Sequence, residues 1–450
     1  MKKRLMALMT IVVIAGSACS NTAAPASSGA AASQPAASQP AAASAATATK
    51  LVVWARNYTV EAGKAQPWAP DPKAKLEAAH PGLTVELSGA TSGDQFNRIE
   101  LSQAGAVADK PDIFQLDNIW LGQFVDEGIT ANLDSYYANW ADKSDIVPAY
   151  AESTKVKGSQ QAVWFYSDIR MMIWSKDVFK RAGLDPEKGP ATWDELMADA
   201  KAIKDKVPGV NPVEFPASSE ESTVDRFYSY LYMTGSNILN ADNTKAVFND
   251  AGGQKALQLY VDLVKQGYAP KAVLSETADD IYPHVFSGKT GIMLATVGDG
   301  LGSLPDGFDV SKFQSTIGAA LPPLCSGCQP ATTAGGWMLA INSASQNKDV
   351  AWEYISAVTN GANMVPFEVE RTRIPVRTTG LAQADAFKAD PYFAQEAEAA
   401  KVAHFPPFIA KYTSMIEILW TGMQKAINGD LPVKDALDQA AADVDTLLAP

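Results

Sequence analysis

From residue 50 onward, short apolar runs alternate with amphipathic stretches, and this alternation limits the possible folds more than any other feature. Alternating strands and helices predict an α/β architecture. One helix is predicted to begin at Thr192, because residues 192–195 form a capping box. Two further helices are predicted to begin near Asn249 and Asp349. Strands are predicted at residues 51–55, 83–87, 112–116, 163–174, 290–296 and 337–341.

The length and net charge of the chain limit the classes of protein to which it can belong. A chain of 450 residues is long enough for two lobes, and a hydrophobic content of 47% can supply each with a core. The chain carries 37 basic and 50 acidic side chains, which gives a formal net charge of −13. Such a chain repels a phosphate backbone, so nucleic-acid binding is excluded as its main function.

The N-terminus has the pattern of an export signal. Three basic residues at 2–4 precede an uncharged run at 5–15, which is too short to span a bilayer. The small residues at 16–18 and the following Cys19 resemble the lipobox of bacterial lipoproteins, although Gly16 stands where that pattern prefers Leu. We interpret residues 1–18 as a lipoprotein signal peptide and Cys19 as the lipidated residue. The alternative is ordinary cleavage that discards Cys19.

The next segment has the composition of a tether. Residues 20–49 contain no charged or aromatic side chain, and the sequence Ala-Ala-Ser-Gln-Pro occurs at 31–35 and again at 36–40. Such a segment cannot form a core, so we predict a disordered tether over residues 19–49. As a flexible coil it would reach roughly 30 Å.

Two further cysteines, Cys325 and Cys328, are predicted to form a structural disulfide, because an exported pair most simply does so. A thioredoxin-like redox centre is disfavoured because several prolines and a glycine place the pair in a loop. A zinc site needs about four ligands, and the three histidines of the chain have no metal-binding spacing near the pair. No metal or cofactor is therefore predicted.

The sequence motifs that would indicate an enzyme are incomplete in this chain. Residues 288–290 resemble the end of a phosphate-binding loop, but Pro283 stands where the loop needs Gly. The glycines at 298, 300 and 302 resemble a dinucleotide turn, but Ser303 stands at the final Gly position. The adjacent acids Glu220 and Glu221 could serve glycoside hydrolysis, but in a Ser-rich loop we interpret them as solvated. The chain is therefore predicted not to be an enzyme.

Aromatic, carboxylate and arginine residues recur where strands run into loops. A sugar ring presents an apolar face that stacks on Trp or Tyr, and its hydroxyls bind to carboxylates and guanidinium groups. This residue set therefore indicates a sugar site. The candidate ligand-binding residues are Trp54, Tyr58, Asp117, Asn118, Tyr166, Asp168, Asp299, Gly336, Trp337, Arg371 and Arg373.

Five sequence blocks are spread along the chain from residue 50 onward. They are Pro-Asp-Ile-Phe-Gln-Leu-Asp-Asn-Ile-Trp at 111–120, Tyr-Ser-Asp at 166–168, Thr-Trp-Asp-Glu-Leu at 192–196, Gly-Gly-Trp at 335–337 and Arg-Thr-Arg-Ile-Pro at 371–375. Through these blocks, residues 50–450 resemble the family 1 extracellular solute-binding proteins of bacterial ABC importers, the group with the maltose- and trehalose-binding proteins.

The resemblance implies a periplasmic-binding-protein-like fold of class II type, in which two α/β lobes are joined by crossing hinge strands. We expect a first lobe from residues 50–165 with 291–336 and a second lobe from 166–290 with 337–450. The resemblance also implies that Asp117 meets sugar hydroxyls, that Trp337 stacks on the sugar, and that one of the two arginines at 371 and 373 reaches the ligand. No aromatic residue stands near Asp299, where relatives often carry one.

The function implied is that of a substrate-binding lipoprotein of an ABC importer. Such a protein captures a sugar, here a di- or oligosaccharide, between its lobes and delivers it to the transmembrane subunits of a permease. We expect a monomer, lipid-anchored at the outer face of the bacterial cytoplasmic membrane. Two alternatives stay open: a binding protein for a polyamine or other cationic solute, and a secreted, lipid-anchored glycosidase or lyase that uses two of Asp117, Asp168, Glu220 and Glu221.

Overall fold

A computed structural model describes residues 48–56, 70–90, 92–105, 110–296, 315–361, 364, 367–368, 373–382 and 392–449. Its strands are β1 (Lys50–Arg56), β2 (Thr84–Ala90), β3 (Ile113–Asp117), β4 (Lys155–Val156), β5 (Ser159–Gln160), β6 (Val163–Ser175), β7 (Asn211–Glu214), β8 (Thr290–Thr296), β9 (Ile317–Ala320), β10 (Thr332–Ile341) and β11 (Ala403–His404). Its helices are α1 (Pro70–Ala79), α2 (Ser92–Gln103), α3 (Leu121–Asp126), α4 (Asp134–Asn139), α5 (Pro148–Ser153), α6 (Lys176–Ala182), α7 (Trp193–Lys206), α8 (Glu221–Met233), α9 (Ala251–Lys265), α10 (Ala278–Phe286), α11 (Lys348–Val358), α12 (Thr378–Leu381), α13 (Phe393–Ala400), α14 (Tyr412–Asn428) and α15 (Val433–Leu448).

A mixed sheet forms the centre of the fold, in the order β2-β1-β3-β10-β6-β8-β7. Strand β9 also pairs with β6, and β11 also pairs with β10. Strands β1, β2 and β3 run parallel, whereas β10 runs antiparallel to both β3 and β6. The predicted α/β architecture is confirmed.

Two long strands cross between the halves of this sheet. The first part of β6 pairs with β10, and its later part pairs with β8 and β9. Strand β10 in turn pairs with β3 at its far end. The chain therefore passes from one half to the other through β6 and returns through β10, which gives two α/β lobes joined by crossing strands.

Each lobe has its own core of buried apolar side chains. The first-lobe core takes residues from 51–166 and 337–376, and Phe114 and Leu339 are almost completely buried in it. The second-lobe core takes residues from 172–331 and 412–444, with Phe227 fully buried in it. A third, smaller core packs α10 against β8 and the later part of β6. Together these cores cover the sheet on both sides of the crossing strands.

The strand pairing differs from the division of the chain that we expected. Residues 291–336 were assigned to the first lobe, but β8 pairs with β6 and β7 and contributes Ile292 to the second-lobe core. Residues 337–341 were assigned to the second lobe, but they pair with β3 and lie in the first-lobe core. The reason is that β10 is the returning strand, so the chain leaves the second lobe only when it enters β10.

Local sequence explains where several elements begin. The Oγ1 atom of Thr192 accepts a hydrogen bond from the backbone N–H of Glu195 at 3.2 Å, as a helix cap requires. The Glu195 carboxylate accepts from the N–H of Ala191 at 2.7 Å rather than from that of Thr192, so only half of the predicted capping box forms. Strand β10 begins at Thr332, five residues before the predicted start, because this strand is buried along its whole length and lacks alternation.

Cys325 and Cys328 are joined by a disulfide, as predicted, with their Cα atoms 5.3 Å apart. Cys325 is buried, and the backbone of neighbouring Leu324 bonds to Ala191 and Trp193 at the start of α7. Within the described ranges, no group of three or more His, Cys, Asp or Glu side chains could hold a metal ion. No helix in the same ranges is long and apolar enough to cross a membrane.

Candidate functional site

The predicted site residues meet where β3 ends beside the crossing strands. Trp337 in β10 lies opposite Asp117 of β3 on one side and opposite Tyr166 of β6 on the other. Two residues along from this pair, Asp168 of β6 lies opposite Gly335 of β10. Antiparallel pairing thus brings an indole, a phenol and two carboxylates from three separate parts of the sequence to one region.

Burial alters the ionisation of Asp117 at this site. Its Oδ1 atom accepts a hydrogen bond from the backbone N–H of Ile119 at 3.3 Å and so caps the short 3-10 helix that follows β3. Burial raises the pKa of Asp117 to about 7, and the negative charge of Asp168 adds to the rise. The Ile119 hydrogen bond and the charges of Arg170 and Arg56 oppose it. The carboxyl group therefore titrates near neutral pH, where it can accept or donate a hydrogen bond.

Asn118 holds the backbone of the site in place. Its side chain is buried, and its Oδ1 atom accepts a hydrogen bond from the N–H of Gly336 at 3.0 Å. Gly336 has a φ of +135°, and a Cβ atom at this position would lie 2.4 Å from the carbonyl oxygen of Tyr166. The two strands can therefore approach this closely only with glycine at 336.

Trp337 is enclosed by its neighbours. Only 4% of the residue is exposed. The ring of Trp120 meets it edge-on, with centroids 5.3 Å apart and an interplanar angle of 85°. The Cζ atom of Arg56 lies 4.6 Å from the centroid of the indole, which is a cation–π contact.

Tyr166 and Asp168 are joined through Arg373. The guanidinium Cζ atom of Arg373 lies 5.0 Å from the ring centroid of Tyr166, and an Nη1 atom lies 3.6 Å from the Asp168 carboxylate. Tyr166 is fully buried. Of the two arginines predicted to reach the ligand, Arg373 is thus brought to the site.

An ion-pair network continues from Asp168 into the second lobe. Arg170 bonds to Asp168 and also to Asp225 of α8. Asp225 in turn accepts from Arg226 at 2.6 Å, and Arg226 bonds to the hydroxyl of Tyr282. Asp225 and Arg226 are each almost completely buried, so these charges depend on one another for compensation.

The structure separates Trp54 from this group. Trp54 is buried in the first-lobe core, and its backbone lies opposite Phe114 in the sheet. The Cζ atom of Arg98 lies 4.6 Å from its ring centroid. The predictions for Tyr58, Asp299, Arg371 and Cys19 lie outside the described residues and stay predictions.

Three charged residues of the site were not among the predicted ligand-binding residues: Arg56, Arg170 and Glu221. We expected Glu220 and Glu221 to be solvated, but both are partly buried at the start of α8. Burial raises the pKa of Glu221 well above its ordinary value, and the charges of Asp225 and Asp117 add to the rise. The sequence could have indicated the proximity of these two acids, because Glu221 and Asp225 are four residues apart and so lie on one face of a helix.

Known proteins resemble this chain in both sequence and fold. A protein of Brucella abortus (strain 2308), described only as a binding protein, is 25% identical over 396 residues, covering 86% of this chain and 91% of the relative. Two solved structures share the fold. One is an ABC transporter solute-binding protein of Thermotoga lettingae bound with α-D-tagatose, with a TM-score of 0.77, 24% identity and coverage of 89% of this chain and 100% of that one. The other is the cyclic α-maltosyl-1,6-maltose-binding protein of Arthrobacter globiformis, with a TM-score of 0.74, 24% identity and coverage of 89% and 99%.

One protein family matches most of the folded chain. The model for bacterial extracellular solute-binding proteins matches residues 58–364, which include β3, both crossing strands and Trp337. The predicted family resemblance is confirmed by this match. The chain belongs to the bacterial extracellular solute-binding protein family.

Proposed function

We propose that this protein is the substrate-binding component of an ABC importer and that it captures a sugar, a di- or oligosaccharide, between its lobes. The observation that carries this proposal is the pairing of Trp337 with Asp117 on one side and Tyr166 on the other. An indole beside carboxyl groups matches a ring with one apolar face and a rim of hydroxyls. The tagatose and maltosyl-maltose ligands named for the two similar structures are polyols of this kind.

The charges near the site favour a neutral polyol over a cation. Arg373 contacts Tyr166 and pairs with Asp168, so this carboxylate already has a cationic partner. Arg170 adds a second positive charge to the same carboxylate. A polyamine would have to displace these guanidinium groups, whereas sugar hydroxyls can share them. The cationic-solute alternative is therefore less well supported.

Ligand capture would work by closure of the lobes. The lobes are joined by β6 and β10, which can bend as hinge strands. A ligand shifts such an equilibrium only if it binds the closed state better than the open one. The indole of Trp337 and the carboxylate of Asp117 lie with the first-lobe core, and Glu221 begins a helix of the second lobe. A sugar that contacts all three would favour closure.

The remaining parts of the proposal concern delivery. The chain would be exported, cleaved before Cys19 and lipidated there, and residues 19–49 would tether a monomeric body at the outer face of the cytoplasmic membrane. The closed form would dock on the transmembrane subunits of a permease. A tether raises the local concentration of the binding protein near its partner. No chemical step on the ligand is required.

The first test is a ligand screen with the purified full chain. Thermal unfolding and Trp fluorescence would be measured against mono-, di- and oligosaccharides and polyamines, because a ligand of the native state raises the melting temperature. Trp337→Phe should lose most of the shift that the best saccharide causes. Trp352→Phe is the matched control, because Trp352 stacks on Tyr136 in the first lobe at a centroid distance of 5.4 Å, outside the site.

The screen also separates the alternatives. Each ligand would be recovered after incubation and analysed by mass spectrometry. An intact saccharide supports the transport function, whereas cleaved products would support a glycosidase or lyase. A shift caused by polyamines and by no saccharide would contradict the proposed ligand class and leave the family assignment in place.

A further inference from the structure

Arg170 connects two acids that lie in different parts of the fold. Its Nη1 atom bonds to the carboxylate of Asp168, two residues earlier in β6, and its Nε atom bonds to the carboxylate of Asp225 in α8. Residues two apart in a strand point to the same face, so Asp168 and Arg170 meet through local geometry alone. About 10% of the Arg170 side chain is exposed. One guanidinium therefore links a candidate ligand-binding residue to a helix of the second lobe.

Strand β10 leaves space for this guanidinium at Gly335. Gly335 lies opposite Asp168 in the sheet, and a Cβ atom at this position would lie 3.0 Å from Nη2 and 3.1 Å from Nη1 of Arg170. The φ of Gly335 is not positive, so the backbone conformation here does not require glycine. The close approach of the guanidinium gives a reason for glycine at this position.

The charge of Arg170 also acts on acids of both lobes. It opposes the rise in the pKa of Asp117, which ends β3 in the first lobe. It likewise opposes the rise in the pKa of Glu221, which begins α8 in the second lobe. Arg170 is therefore close to acids on both sides of the proposed sugar site.

The carboxylate of Asp168 is held at both of its oxygens. Oδ1 bonds to Arg170, and Oδ2 lies 3.6 Å from an Nη1 atom of Arg373. A carboxylate has about four acceptor positions, so each oxygen can still accept from a sugar hydroxyl. Compensation of buried Asp225 is not a sufficient reason for Arg170, because Arg226 also donates to Asp225 at 2.6 Å.

We propose that Arg170 is a positioning residue of the sugar site, which fixes the Asp168 carboxylate for the ligand and is itself held by Asp225 of the second lobe. This inference rests on the proposed function. An acceptor that is already oriented binds more tightly, because less conformational freedom is lost when the ligand arrives. Arg170 should therefore affect ligand affinity through Asp168 and not by its own contact with the sugar.

The test measures saccharide affinity by titration calorimetry. The probes are maltose, D-tagatose and the saccharide that stabilises the wild-type chain most in the ligand screen. Arg170→Met should weaken binding by about 10-fold or more, as should Asp168→Asn. The double variant should bind no more than about 2-fold more weakly than Asp168→Asn alone, because both substitutions remove the same interaction.

Two further variants separate positioning from a structural role. Arg170→Lys should recover part of the affinity, because an ammonium group keeps the charge but lacks the planar set of donors. Arg377→Met is the matched control for loss of a buried arginine. Arg377 is 2% exposed, pairs with Asp145 at 3.9 Å and lies 5.0 Å from the ring centroid of Trp140, outside the site. This control should lower the melting temperature and leave the affinity unchanged.

Gly335→Ala tests the same role without removing a charge. The added methyl group should displace the Arg170 guanidinium by a few tenths of an ångström and weaken binding by about 2-fold or more. In the Asp168→Asn background the same substitution should have no further effect. If Arg170→Met does not fold, Gly335→Ala decides the question, and wild-type affinity in this variant would contradict the proposal.

The outcomes separate this inference from the function on which it rests. Additive losses in Arg170→Met and Asp168→Asn would mean that Arg170 contacts the ligand itself, which would overturn the positioning role. Unchanged affinity in a folded Arg170→Met would leave Arg170 a structural role only and would overturn the proposal as well. If the wild-type chain binds no saccharide, the proposed function fails, and this inference fails with it.

Discussion

Gly336 of β10 leaves no room for a side chain beside the carbonyl oxygen of Tyr166 in β6, so the close approach of the two crossing strands depends on glycine. A Cβ atom at Gly336 would approach that oxygen to 2.4 Å, and the φ of +135° also disfavours any other residue. We expect Gly336→Ala to lower the free energy of unfolding by about 2 kcal/mol or more. Urea denaturation followed by circular dichroism would measure this loss.

Gly209→Ala is the control for backbone strain alone. Gly209 has a φ of +81°, but nothing lies within 4 Å of the place that an added methyl group would take. This variant should lose only about 1 kcal/mol. If Gly336→Ala and Gly209→Ala lose the same free energy of unfolding, then β6 moves away from the added methyl group at little cost. This result would contradict the prediction.

Removal of the Asp225 charge should be strongly destabilising. Asp225 is 3% exposed and pairs with both Arg170 and Arg226. Asp225→Asn would leave two largely buried guanidinium groups without their shared anion, at a cost of roughly 3 kcal/mol. Asp205→Asn removes an exposed partner of Lys201 on α7 and should leave the urea midpoint almost unchanged, because solvent screens an exposed ion pair. Similar urea midpoints for the two variants would show that the buried network is not needed for stability.

Two buried acids should make the empty protein less stable as pH rises toward 8. Burial raises the pKa of Asp117 to about 7 and that of Glu368 to about 8, so the native state holds protons that the unfolded chain has released above about pH 4.5. The free energy of unfolding should fall between pH 5 and 8 and level off above that. Thermal unfolding across this range would measure the slope.

Substitution tests the origin of that slope. Asp117→Asn and Glu368→Gln should each make it shallower, because neither amide titrates. Asp280→Asn is the control: hydrogen bonds from Thr277 lower the pKa of Asp280, so its contribution changes only at acidic pH. If the slope of the double variant Asp117→Asn/Glu368→Gln is as steep as that of the wild-type chain, the slope comes from other acids, such as Glu221, whose pKa burial also raises.

The disulfide should contribute modestly to stability. Cys325 and Cys328 are separated by 3 positions, and closing so short a loop stabilises the folded state by about 2 kcal/mol in the chain-entropy model. Dithiothreitol should lower the melting temperature of the wild-type chain and leave Cys325→Ala/Cys328→Ala unchanged. If thiol titration shows full reduction without any change in melting temperature, the loop is held by its hydrogen bonds to α7 instead.

Local sequence patterns predicted the bounds of strands and helices better than they predicted how the strands pair in the sheet. Strand β8 has the predicted bounds, because an apolar run between a turn and a loop is a local signal. The pairing of β10 with β3 has no such signal, since it depends on residues far apart in the chain. For this reason the predicted lobe boundaries misplaced β8 and residues 337–341.

For the candidate site, too, local patterns predicted individual residues but did not predict contacts between distant strands. The residues Asp117, Tyr166, Asp168 and Trp337 were predicted from residue types at strand ends and from family blocks, and the sheet brings them together. The involvement of Arg56 and Arg170 could not be predicted, because their contacts are made across strands. Their ring contact and ion pairs arise only once β1, β6 and β10 lie in one sheet.

The return of the chain through β10 also has a consequence for biosynthesis. Strand β3 has β10 as its neighbour, yet Trp337 is translated about 220 residues after Asp117. At roughly 5–20 residues per second, one edge of β3 stays unpaired for about 10–40 s while the ribosome makes residues 118–336, which include much of the second lobe. An unpaired edge and an open apolar core invite aggregation. The first lobe therefore cannot complete its sheet until much of the second lobe has been made, although its first three strands are made first.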